Sequence, residues 1–123
     1  MASRWFAIGA GLAAAGVALG AFGAHALKGR LSSEALAIWE TAARYHLIHA
    51  LALLATGWAA ERWPGGWTTA AGWAFVTGIV IFGGSLYGLA LTGARALGAI
   101  TPFGGLCLIA GWICLAIGAA RGR

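Results

Sequence analysis

Four long stretches of this sequence carry no charged side chain: Trp5–Leu27, Tyr45–Ala60, Trp63–Ala94 and Ala96–Ala120. A helix needs about 20 apolar residues to cross bilayer hydrocarbon. Irregular backbone exposed to lipid would leave its N–H and C=O groups unpaired. The sequence therefore predicts an all-α integral membrane protein, a four-helix bundle running up-down-up-down. It forms a single transmembrane domain over residues 1–123, with spans at about 5–26, 44–60, 68–91 and 102–120.

Charged residues make up 9% of the chain, against roughly 25% in a soluble domain. Four spans consume most of the 123 residues, which leaves no room for a water-soluble catalytic or binding domain. The net charge of +5 comes from 8 basic and 3 acidic residues. The basic residues form no run, so they point to lipid headgroups as partners and not to nucleic acid. Cys107 and Cys114 lie on one predicted helix, about 10 Å apart by helical rise, which is beyond disulfide reach. Arg4 and the Ala24-His25-Ala26 triplet resemble a signal peptide, but the apolar run between them is too long. An uncleaved first span is expected.

The first span is mostly Ala, Gly and Leu, with Gly16 and Gly20 at the spacing that lets a neighbouring helix approach closely. It is expected to end near Gly29. Ser32 or Ser33 suits an N-cap, with Glu34 in the first turn. From there a helical pattern continues to Arg62, about 45 Å of rise, which exceeds the hydrocarbon layer. The part before span two, Ser33–Ala43, is therefore expected to be interfacial. Pro64-Gly65-Gly66 breaks the chain, Gly84 and Gly88 give the third span its own packing face, and Thr101-Pro102 reads as an N-cap followed by proline at the first helical position. Both termini share one side, with Arg4, Arg62, Arg121 and Arg123, against Lys28, Arg30, Arg95 and Arg44. The positive-inside rule assigns that side to the cytoplasm. Trp5, Trp58, Trp63, Trp67 and Trp73 are expected to form an interfacial belt there.

Threading four spans sends the polar residues His25, Tyr45, His46, His49, Ser85, Tyr87 and Thr101 toward the side opposite the termini. Intramembrane ionisable groups suggest a functional site, while hydrogen bonding between helices is the plainer role for them. A lipid, quinone or other small-ligand pocket and a proton or ion path are the further readings. His46 and His49 have ligand-like spacing, with His25 as a third donor, but no carboxylate or cysteine lies close enough to complete a metal site. No metal and no cofactor are expected. The chain has no Asp, and its three Glu residues fall at predicted surface positions, so an enzyme is not expected. Gly9-Ala10-Gly11-Leu12-Ala13-Ala14 matches a dinucleotide fingerprint literally, but it sits inside a span with no strand before it.

Several segments together carry a resemblance. They are Gly20-Ala21-Phe22-Gly23-Ala24-His25-Ala26-Leu27, Trp39-Glu40-Thr41 with Tyr45 and His49, Gly84-Ser85-Leu86-Tyr87, and Thr101-Pro102-Phe103-Gly104-Gly105 with Gly111-Trp112. Over nearly the whole chain the sequence resembles the domain-of-unknown-function 423 family of small bacterial inner-membrane proteins, to which eukaryotic transmembrane protein 256 is similar. The resemblance implies a four-helix membrane fold in the bacterial inner (plasma) membrane, and it brings no established activity. The expected role is a non-enzymatic packing or accessory component, a homo-oligomer or part of a larger membrane complex. The alternative is a small transporter or ligand-binding protein using the His/Tyr cluster.

Overall fold

A computed structural model describes residues 2–122; Met1 and Arg123, one of the basic residues counted for orientation, lie outside it. The chain runs α1 (Ala2–His25), α2 (Ser33–Arg62), α3 (Gly66–Gly78), a π-helical turn (Ile79–Gly83), α4 (Gly84–Thr92) and α5 (Arg95–Arg121). The π turn joins α3 and α4 into one rod, so four helical rods alternate in direction. Three rods (α1, Gly66–Thr92 and α5) are long and apolar enough to cross a membrane. α2 is the most polar, and it packs against every other helix. Its neighbours shield one face from lipid, so its sequence need not be apolar all round.

The turns follow from local chemistry. After α1, the amides of Ala26 and Leu27 both donate to the Phe22 carbonyl, at 2.8 and 3.1 Å. Gly29 then takes a left-handed conformation, φ +88°, which costs glycine little. The helix thus stops four residues earlier than the glycine suggests. Ser32 caps α2, its Oγ accepting from the Ala35 amide at 3.0 Å. Ser32→Ala should destabilise the protein by about 1 kcal/mol, measured by thermal unfolding in micelles. Left-handed Gly93 closes α4, and two residues suffice to reverse the chain. Residues 33–43 continue into α2 without a break and pack beside the last turns of α1.

The proposed cap at Thr101 is corrected by the structure. α5 begins at Arg95, so Pro102 lies inside the helix. The proline withholds the amide that would pair with the Gly98 carbonyl four residues back, and the Thr101 side chain, rather than capping a helix start, turns back to the Leu97 carbonyl at 3.1 Å. The short α4–α5 connection explains the difference, because nearly two turns of helix fit before the proline.

Glycines set the packing at intervals of seven. Gly9, Gly16 and Gly23 are buried on α1, and Gly104, Gly111 and Gly118 on α5. A methyl group at Gly9 would stand 2.8 Å from the Ala50 carbonyl of α2, and one at Gly16 2.8 Å from Leu47 Cδ2. A methyl group at Gly104 would overlap the Phe82 backbone of the π turn. Of the other glycines singled out from sequence, Gly20 faces Ala43 loosely, Gly88 meets only the tip of Leu97, and Gly84 faces open space. Of the i+4 pairs, Gly16 is a tight contact and Gly88 a lesser one, while Gly20 and Gly84 are not. The core itself gathers Trp5, Leu53, Ala71, Phe75, Ile79 and Leu108. Trp5 is 1% exposed and packs edge-on to Trp73 at 5.2 Å, so it belongs to the core and not to an exposed belt. Trp58, Trp67 and Trp73 are exposed at that end.

Candidate functional site

The polar residues expected to form one cluster form three separate connections between helices. In the first, His46 Nε2 lies 2.8 Å from the Leu12 carbonyl of α1, and Nδ1 lies 3.0 Å from the Tyr87 hydroxyl of α4. A carbonyl only accepts, so Nε2 carries the proton and Nδ1 accepts from Tyr87. One neutral imidazole thereby joins α1, α2 and α4. Leu12 lies near the middle of α1, which places His46 deep in the bundle rather than near the end opposite the termini.

The α1 carbonyl is available because of glycine. A helical carbonyl lies under the side chain four residues on, and for Leu12 that residue is Gly16. The same arrangement recurs one heptad later: Trp39 Nε1 donates to the Leu19 carbonyl at 2.8 Å, and Gly23 lies against the Trp39 indole. Sequence reasoning on side chains alone overlooked Leu12 and Leu19. The readable signal was the pairing of two intervals of seven, Gly16/Gly23 on α1 with Trp39/His46 on α2.

The second connection centres on His49. Its Nδ1 lies 2.7 Å from the Tyr45 carbonyl, and its Nε2 receives a hydrogen bond from Trp112 Nε1 at 2.9 Å. An indole N–H only donates, so His49 carries its proton on Nδ1 and joins α2 to α5. Trp112 was missed as a partner. A tryptophan in mid-span, away from either interface, is itself a sign of a buried acceptor. Tyr45 stacks on His49 with ring centroids 6.2 Å apart, and the residue is 40% exposed.

The third connection is Ser85 Oγ to Thr101 Oγ1 at 2.6 Å, joining α4 to α5 beside the π turn. Ser85 also approaches the Phe82 carbonyl at 3.1 Å. Two hydroxyl protons serve three acceptor contacts here, so the pair always leaves one contact unfilled. His25 joins none of these: it is exposed at the end of α1. Helical phase explains the scatter, since three residues put His46 and His49 about 60° apart on α2, facing different neighbours.

Among the described residues no three His, Cys, Asp or Glu side chains are grouped to hold a metal ion. One groove adjoins the site, about 500 Å³ between α2 and α5, lined by Arg44, Tyr45, Ile48, His49, Phe82 and Trp112 among others. It opens laterally, and its walls are largely apolar.

Residues 19–105 match the family described as "Protein of unknown function (DUF423)". The UPF0382 membrane protein YwdK of Bacillus subtilis strain 168 is 45% identical over 106 residues, 85% of this chain and 86% of its own. The UPF0382 membrane protein SERP0230 of Staphylococcus epidermidis is 49% identical over 106 residues, 82% of each chain. SH2409 of Staphylococcus haemolyticus is 48% identical over the same shares. No solved structure matches.

Proposed function

The chain belongs to the DUF423 family and is a bacterial-type membrane protein like its named relatives, and from that premise we propose that it serves as a non-catalytic packing component of a membrane assembly. The carrying observation is the saturation of its two buried histidines, His46 and His49. All four ring nitrogens of His46 and His49 are engaged, three of them with groups on other helices. A histidine in that state has no lone pair for a metal and no free N–H for a substrate. Opening it would break contacts that hold the bundle together. Native mass spectrometry of the protein released from membranes into mild detergent should show a mass above the monomer, as homo-oligomer or complex. A monomer with no companion would overturn the assignment.

The groove favours a second reading, a membrane site for a quinone or lipid-like molecule against Tyr45, His49 and Trp112. It is tested with a photoreactive quinone analogue in vesicles. Saturable labelling of Tyr45 or Trp112, competed by unlabelled quinone, would support the ligand site. Labelling that is spread evenly over lipid-facing residues would reject it.

A further inference from the structure

α2 carries a stripe that none of the described residues covers. Ala37, Glu40, Arg44, Ile48, Leu51, Ala55 and Trp58 are all exposed, and at 100° per residue they fall within an arc of about 80°. Ile48, Leu51 and Trp58 are 45%, 58% and 58% exposed. Most of the stripe suits lipid. Glu40 and Arg44 do not.

Their depth decides this. α2 pairs with α1 along its length in antiparallel fashion, from Trp39 against Gly23 to Gly57 against the Ala2 carbonyl. The charged ends of the bundle are Lys28, Glu34 and Arg95 at one side and Arg4, Arg62 and Arg121 at the other. From Glu34 to Arg62 the helix rises about 42 Å. Hydrocarbon of about 30 Å centred in that length leaves about 6 Å at each end. Glu40 then lies about 3 Å and Arg44 about 9 Å inside the apolar layer. Ionised groups at such depth nearly always face protein or water, or pair with one another. An ion pair within α2 would still leave both groups turned toward acyl chains.

We infer that this stripe is the contact face for a second copy of the same chain, packed about a two-fold axis along the membrane normal. The inference rests on the assembly role proposed above and names its partner. The couplet is self-complementary: in a symmetric parallel pair, Glu40 of each copy meets Arg44 of the other. Equivalent residues share one depth under that symmetry, so each pair bridges a single helical turn, which an arginine side chain spans. Ala37, one turn before Glu40, and Ala55 further along the stripe allow the helices to approach closely. A phosphate headgroup is the poorer occupant. It would have to pass Glu40, whose carboxylate stands between Arg44 and the membrane surface. The lateral groove beside Arg44 and Ile48 is continuous with the stripe and offers space to side chains of the second copy.

The test uses the full chain in native membranes, with Cys107→Ser and Cys114→Ser removing both free thiols. Ile48→Cys should oxidise to a disulfide-linked dimer, whereas Val17→Cys, on the exposed outer side of α1, should not. In the Ile48→Cys background, Glu40→Arg alone and Arg44→Glu alone should each cut crosslinking about tenfold. Coexpressed, these two variants should recover it, since all-basic and all-acidic faces are complementary. That recovery also demonstrates that both variants fold. Should a reversal fail to accumulate, Glu40→Gln must lower crosslinking with an unchanged melting temperature. Ile48→Cys crosslinking no better than Val17→Cys, or no recovery on mixing, overturns the inference. In that event migration in a larger native complex leaves the assembly role standing, and migration as a lone monomer removes both. Loss of crosslinking on raising the anionic lipid content would mark Arg44 as a headgroup site instead and would likewise overturn it.

Discussion

Gly104→Val is expected to cost roughly 3 kcal/mol or more of stability, the upper range for forcing volume into a packed interior. The first added carbon would overlap the Phe82 backbone. Side chains can rotate away from an intruder, but the backbone of the π turn is fixed by its own hydrogen bonds and by Ser85 and Thr101 beside it. Separating α5 from that turn would also withdraw Gly111 from Phe75 and Trp112 from His49. Gly84→Val or Gly84→Ala supplies the contrast. Gly84 is helical and faces open space, so alanine there should be neutral or stabilising by up to about 1 kcal/mol. Both variants can be followed by tryptophan fluorescence during denaturant titration in micelles. Equal losses at Gly104 and Gly84 would mean that helix α5 is not seated on the π turn.

The contrast also locates what sequence reasoning can reach here. The membrane-length apolar runs, the Ser32 cap and the Pro64–Gly66 break are local signals, and each corresponds to a feature of the fold. Packing glycines are not local. Gly16/Gly20 and Gly84/Gly88 satisfy the short i+4 pattern, yet contact depends on which face meets a neighbour, and the buried sets repeat every seven residues. Pro102 misled for a related reason: within lipid a proline need not end a helix that neighbouring helices hold in place, and α5 packs on α3, the π turn and α4. The π turn carries no composition signal at all, because Ile79-Val80-Ile81-Phe82-Gly83 is an ordinary apolar run.

The candidate site was legible as residue types and less so as geometry. His46, His49, Tyr87, Ser85 and Thr101 do make contacts between helices. Span-counting placed them all near one surface because it began span two at residue 44. The helix from Ser33 to Arg62 is as the sequence reads; setting residues 33–43 outside the span is what put His46 near the surface, whereas it lies at the level of Leu12. His25 stayed at the surface end and dropped out. The acceptors at Leu12 and Leu19 are backbone atoms, which no inventory of side chains contains.

His46→Ala should destabilise the bundle by roughly 2–4 kcal/mol, combining two interhelical hydrogen bonds with the cavity left by the ring. Tyr87→Phe removes only one of those bonds and should cost about 1 kcal/mol. The double variant should fall short of the sum by about that amount, since neither single variant retains the shared bond. His46→Gln separates the two halves of the contact. Its amide N–H can still donate toward the Leu12 carbonyl, but the rest of the side chain cannot also present an acceptor at the Nδ1 position to Tyr87. It should therefore recover part of the loss and become insensitive to Tyr87→Phe. Reversible unfolding in mixed micelles reads all five values, the His46→Gln/Tyr87→Phe combination included. A His46→Ala protein as stable as wild type would mean that the imidazole holds nothing together, and a buried histidine kept without structural need would then point back to a ligand.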